Sequence, residues 1–194
     1  GFEDYIGEEN AVVIVLLNEF SYGDFARSTG QLVLEDIKSL ISRLLSGEYE
    51  EQETLLVLEE LGVYVNDGIE GLLDRSRSAG VKTIVSMQTT ADVDKENPDL
   101  TRQIIGNCND FMIMRVTDQD SAETIAKLIG TEKTIQKTSR TSEGISTGES
   151  SNKLVDQFRI SPNEIKNFPS LYGIYYTKNK PNEVKRFKTK FIRI

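Results

Sequence analysis

Short β-branched apolar runs alternate along this chain with segments of helical periodicity. That alternation restricts the fold more than any other feature. The runs are Ala11–Leu17, Leu55–Leu58, Lys82–Gln88 and Asp110–Val116. Continuous runs of this length, bounded by turn residues, read as strands covered on both faces. After the first run, Ser21 or Asp24 is placed to cap a helix reaching about Leu45, with Leu32, Val33, Ile37, Leu40, Ile41 and Leu44 at helical spacing. A second helix is expected from about Asn66 to Ser78, stopped by Gly80. A third opens at Asn97-Pro98-Asp99, and a fourth runs from Asp118 to Ile129 and stops at Gly130. Strand and helix in strict alternation predict an α/β fold: a mainly parallel sheet with helices on both faces.

Beyond Gly130 the character changes. Thr131–Ser151 is rich in Ser, Thr, Gly and Glu, and reads either as a ragged hairpin or as a flexible loop. Ser161-Pro162-Asn163-Glu164 reads as a cap and first helical turn. Leu171–Thr177 and Glu183–Ile194 read as a terminal hairpin joined by residues 179–182, adding antiparallel strands to the sheet edge. The length of 194 residues suits one domain spanning 1–194.

Composition closes off several chemistries. There is no His and one Cys, so zinc sites of the usual ligand types and His-dependent triads are excluded. Cys108 has no partner for an internal disulfide and reads as a structural thiol, which fits a reducing setting. No stretch approaches the ~20 apolar residues of a membrane helix. The start, Gly1–Tyr5, is polar and acidic without an initiator Met, and is expected to be a boundary inside a longer protein. Charge is uneven. Residues 151–194 carry 10 Lys or Arg against 3 Asp or Glu, whereas residues 1–150 carry 13 against 28. An acidic body argues against duplex binding over the whole surface. The basic tail, with Lys185, Arg186, Lys188 and Lys190, suits phosphates, an acidic neighbour, or simply an edge strand protected by lysines.

In open parallel sheets ligands bind at the carboxyl ends of the strands. Leu55–Leu58 ends in Glu59-Glu60, four apolar residues followed by two carboxylates, which is the Walker B pattern. In such a site Glu59 holds Mg²⁺, directly or through water, and Glu60 orients or deprotonates the attacking water. Gln88 ends the third run and is placed to sense the γ-phosphate or that water. Arg75 and Arg77, late in the second helix, are of the type that stabilises charge on a transferring phosphoryl group from a neighbouring subunit. No G-x-x-x-x-G-K-[ST] phosphate loop occurs, so the chain is expected to bind nucleotide poorly by itself.

Taken together, these segments resemble the type IV secretion coupling proteins, the TraG/TraD-type conjugation ATPases. The resemblance runs through Val12–Leu17, Tyr22–Val33, the Walker B run Leu55–Glu60, Arg75-Ser76-Arg77-Ser78-Ala79-Gly80 and Ser86-Met87-Gln88-Thr89-Thr90. It continues through Ile104–Asn109, Asp120-Ser121-Ala122, Gly130 and Arg159–Ile165. Glu59 stands where that family usually has Asp. The resemblance implies the C-terminal part of a RecA-like P-loop NTPase motor domain, with catalytic Glu60, Gln88 and Arg77. It implies ATP and Mg²⁺ as cofactors of the full-length protein. The partners it implies are single- or double-stranded DNA, relaxase and other relaxosome proteins, type IV channel ATPases, and further copies in a hexameric ring. It places the chain on the cytoplasmic side of a membrane-anchored parent. Two other readings fit the same residues: a motor of the FtsK/HerA or channel-ATPase type, or a non-enzymatic docking module for relaxosome proteins.

Overall fold

The computed structural model describes residues 1–5, 11–49, 53–95, 97–142 and 145–190, the side chains of 137–151 excepted. The chain divides into two compact units, Gly1–Asn109 and Asp110–Ile194.

The first unit is built on a parallel pair of strands. β1 (Thr54–Leu58) and β2 (Val81–Val85) pair from Thr54↔Val81 to Leu58↔Val85. They are joined by α3 (Ile69–Ser78), after a short α1 (Glu19–Tyr22) and the long α2 (Asp24–Leu45). Period 2 along β1 points Leu56 and Leu58 inward. They meet Leu34, Ile37 and Ile41 of α2, Leu72 of α3, and Val65 and Ile69 before and at its start. α4 (Thr90–Asp94) and α5 (Leu100–Asn107) close this core with Val93, Leu100 and Ile104, and Cys108 packs half-buried against it as a structural thiol does. Gly30 of α2 is required there: a Cβ would lie 2.6 Å from Cβ of Tyr64.

Ala11–Leu17 differs from expectation. It forms no strand, and Val12, Ile14 and Leu16 are exposed; only Leu17 packs on the core. A strand exists only through a neighbour's ladder, and no described segment pairs with these residues. The capping of α2 also differs. Asn18 caps α1 by accepting from the Ser21 amide at 3.0 Å, and α2 starts at Asp24 after Gly23, which has φ +45° and no side chain to cap with. The face of β1–β2 that carries Leu55, Val57 and Ile84 is exposed.

In the second unit, β3 (Asp110–Ile113), β6 (Tyr172–Thr177) and β7 (Val184–Lys188) form an antiparallel sheet in the order β3-β6-β7. Asp110–Val116, expected to continue the parallel series, thus ends at Ile113 and runs antiparallel to β6. Its partner is β6 of the terminal hairpin, which adds antiparallel strands to a sheet edge as expected. α6 (Gln119–Ile129) and α7 (Pro162–Lys166) supply Ala122, Ala126, Ile129 and Ile165 to a core shared with Ile113, Ile174 and Tyr176. β4 (Thr131–Ser142) and β5 (Ile145–Phe158) make a long hairpin with a register shift between Ser139 and Thr141, the first of the two readings for that stretch. The β6–β7 turn is held by Arg159, whose guanidinium donates to the Pro181 carbonyl and, at 2.8 Å, to Asn182 Oδ1. The expected last strand stops at Lys188, and its final residues, 191–194, lie outside the described ones.

The cap expected at Ser161 is present, and Asp118, expected as the first residue of its helix, caps α6 from just outside it. Ser161 Oγ accepts from the Glu164 amide at 3.1 Å, and Asp118 accepts from the Ser121 amide at 2.7 Å. The bonds to Ser121 hold the Asp118 carboxyl below the ordinary aspartate range. A group whose folded value is depressed stabilises above its unfolded value, and that contribution disappears as pH falls through the folded one. Asp118→Ala is therefore expected to cost about 1 kcal/mol at neutral pH. In urea titrations the gap to wild type should close below pH 4; an equal gap at every pH would rule out the charged cap.

Candidate functional site

The carboxyl end of the parallel pair is where three of the expected residues meet. β1 ends at Leu58, and Glu59 and Glu60 follow as an exposed turn before a 3₁₀ turn at Leu61–Val63. β2 ends at Val85, earlier than expected, and its continuation brings Gln88 beside the acids. Gln88 Nε2 donates to Glu60 Oε1 at 2.8 Å.

The turn that presents Glu60 is unusual. Glu60 has φ +49° and ψ +47°, the left-handed region that a side chain with a Cβ rarely enters. Such residues persist only where the surroundings impose them. Here Ser86 does so with three bonds. Its amide donates to the Leu58 carbonyl at 2.9 Å, and its carbonyl accepts from the Leu61 amide at 3.0 Å. Its hydroxyl accepts from the Glu60 amide at 3.4 Å. The turn is thus clamped to the neighbouring strand on both sides of the acidic pair, and its conformation directs the Glu60 carboxylate to Gln88.

Glu59 is supported from below. The Tyr64 hydroxyl donates to the Glu59 carbonyl at 3.0 Å. Burial, and then the nearby Glu59 carboxylate, push the Tyr64 hydroxyl up to about 12. The neutral phenol is favoured in the fold, so stability is full below the ordinary tyrosine value near 10 and falls as pH rises from there to about 12. Tyr64→Phe is expected to lose about 1 kcal/mol at pH 8. It should also flatten this alkaline fall; an unchanged alkaline limb would place the titration elsewhere.

Residue pattern alone gives neither Ser86 nor Tyr64 a role at the site. Ser86 precedes Gln88 by two, so an extended chain places both on one side; that spacing is a usable signal. Tyr64 carries none, because its contact depends on the 3₁₀ turn.

Arg75 and Arg77 are exposed in the last turn of α3, directly before β2 begins. The five-residue strand, ~16 Å long, therefore separates them from Glu60 and Gln88 within one chain. Lys185, Arg186, Lys188 and Lys190 belong to the second unit and are exposed; Arg186 pairs with Glu164 at 2.7 Å.

Among the described residues no group of three or more Asp, Glu, Cys or His side chains is arranged to hold a metal ion. Mg²⁺ keeps several waters and commonly takes one or two carboxylates together with substrate phosphates. The Glu59-Glu60 pair fits that partial protein share.

A family model described as "TraM recognition site of TraD and TraG" matches residues 53–170. The chain belongs to this family. The match starts just before β1 and ends between α7 and β6, so it takes in the Glu59, Glu60 and Gln88 turn. Solved structures with which this TraD/TraG family member shares its fold include the bacterial conjugative coupling protein TrwBdeltaN70 in an unbound monoclinic form. That match has a TM-score of 0.64 at 16% identity over 81% of this chain and 36% of that one. Plasmid coupling protein TrwB in complex with the non-hydrolysable GTP analogue GDPNP gives 0.64 at 16% identity, over 90% and 39%. TrwB in complex with ADP and Mg²⁺ gives 0.62 at 16%, over 90% and 39%. The TraD/TraG family chain thus has the RecA-like α/β fold expected for it, and spans under two fifths of the TrwB chains. No curated protein matches it.

Proposed function

We propose that residues 1–194 form the C-terminal part of a RecA-like nucleotide-binding domain, in a conjugative coupling ATPase that drives DNA and its relaxosome toward a type IV secretion channel. One observation carries the nucleotide reading: the Gln88–Glu60 hydrogen bond at the carboxyl end of paired parallel strands, on a turn forced into a left-handed conformation. The TrwB structures were solved with ADP and Mg²⁺ and with nucleotide analogues, which supports nucleotide as the ligand. The family's description as a TraM recognition site supports a relaxosome protein as a partner.

In this reading Glu59 takes one position on Mg²⁺, directly or through a bound water. When bound, ATP·Mg²⁺ supplies the transferable phosphoryl group and the counter-charge for it. Glu60 accepts the proton of the attacking water. Gln88 holds that carboxylate in place and has a second amide hydrogen with which to orient the water. Arg77 acts on the neighbouring subunit's site, since its own strand tips lie beyond reach; this requires a ring, in which the parent assembles as a homo-hexamer on the cytoplasmic side of the membrane. The test is ATP turnover of the full-length parent. Arg77→Ala should abolish turnover alone and regain part of it when mixed with Glu60→Gln subunits, because mixed rings contain some intact interfaces. Failure of any mixture to recover activity would remove Arg77 from the trans role.

A further inference from the structure

β7 is the outer strand of the β3-β6-β7 sheet, and the register tells which of its main-chain groups are free. The Thr189 amide donates to the Leu171 carbonyl at 2.8 Å, so Tyr172 and Lys188 form a non-hydrogen-bonded pair. Stepping along the ladder, Lys185 and Phe187 bond to β6, while the amides and carbonyls of Val184, Arg186 and Lys188 point outward. Nothing described pairs with that edge. The side chains of Arg186 and Lys188 stand on the same sheet face as Ile174 and Tyr172, the face on which α7 packs. Between α7 and the sheet lies a cleft of about 390 Å³, with Phe168, Pro169 and Tyr172 on its walls and Arg186 at its rim. Arg186 is 63% exposed despite its bond to Glu164, and Lys185, Lys188 and Lys190 extend the positive strip, in a chain of net charge −8.

We propose that this edge receives an extended acidic segment of a partner protein, which adds to the sheet as a fourth strand. The free groups of residues 184, 186 and 188 supply main-chain bonds, the mode in which a strand is added to an open edge. Alternate residues of the added strand share a face. Two acids spaced two apart therefore face Arg186 and Lys188, and an apolar residue next on that face enters the cleft against Phe168 and Tyr172. A nucleic acid would use the cations but neither the register of free amides nor the cleft. The β7 edge lies outside the family match at 53–170, while Phe168 and Pro169 of the cleft lie within it, and the proposal does not depend on the nucleotide reading.

The test is fluorescence anisotropy on the whole chain with a labelled ten-residue peptide that carries Glu, Glu and Leu at successive alternate positions. Saturable binding is expected. N-methylation of one alternate set of peptide amides should abolish it, and methylation of the other set should leave it nearly intact. Lys188→Glu combined with Arg186→Glu should weaken it about tenfold. The methylated peptides use the wild-type protein, so a folding defect of the variant cannot confuse the result. Overturning results are no saturable binding, equal binding of a scrambled peptide, indifference to which set is methylated, or displacement by an oligothymidylate at equal charge, which would assign the strip to nucleic acid.

Discussion

Glu60→Gln in the full-length parent is expected to lower kcat for ATP hydrolysis by roughly 10²- to 10³-fold. Nucleotide affinity should be nearly unchanged, because the amide is isosteric and the lost function appears only when the water's proton must be accepted. Gln88→Ala should lower kcat less, since it removes an orienting donor and leaves the base. The two effects should not add. Once Glu60 can no longer accept a proton, the bond at 2.8 Å has little left to position, and the double variant should resemble Glu60→Gln alone. Stopped-flow phosphate release gives kcat, and equilibrium binding of a fluorescent ATP analogue gives affinity. Full additivity would mean that Gln88 acts independently of the Glu60 carboxylate.

The largest stability effect is expected at Gly173, in the middle strand of the antiparallel sheet. A Cβ there would lie 2.5 Å from the Ile113 carbonyl oxygen, 2.7 Å from Cζ of Phe187 and 2.9 Å from Sδ of Met114. The methionine and phenylalanine ends can move, but the carbonyl belongs to the β3 ladder and cannot move without loss of pairing. Phe187 lies directly opposite Gly173 in register and covers it, as aromatics do for strand glycines. Gly173→Val should therefore destabilise by about 3 kcal/mol or more, at the upper end of overpacking effects. Thermal unfolding followed by circular dichroism should show the midpoint fall by roughly 6–12 °C. A shift below ~2 °C would mean that β3 and β6 separate without cost at this point.

Much of the second unit was legible because its signals are local. Asp118, Gly130 and the Ser161-Pro162 pair each set an element boundary through one or two bonds to their own neighbours, and the structure shows those bonds. The terminal hairpin was legible as a local pairing, but partners distant in sequence and the cover over each strand face were not. Ala11–Leu17 carries the composition of a strand covered on both faces but lacks a described ladder partner, and Leu55, Val57 and Ile84 likewise expose a face that the pattern reads as covered. Asp110–Ile113 took an antiparallel partner more than sixty residues away, a choice that periodicity cannot express.

At the candidate site the residue types and the strand-end position of Glu59, Glu60 and Gln88 came from pattern, and their meeting came from the parallel register. The clamp by Ser86 did not, because it depends on the left-handed turn at Glu60, and nothing in a Glu-Glu dipeptide forecasts φ +49°. Strained turns of this kind are where local rules fail and where function is found.

The placement of nucleotide beside the Glu59-Glu60 turn is tested most directly by solving the full-length parent with a non-hydrolysable ATP analogue and Mg²⁺. The expected result is a γ-phosphate at the carboxyl ends of β1 and β2, with Glu59 on the metal or one of its waters and Glu60 and Gln88 on the water in line with that phosphate. A nucleotide bound away from these strand ends, with the Glu60–Gln88 pair untouched, would contradict it.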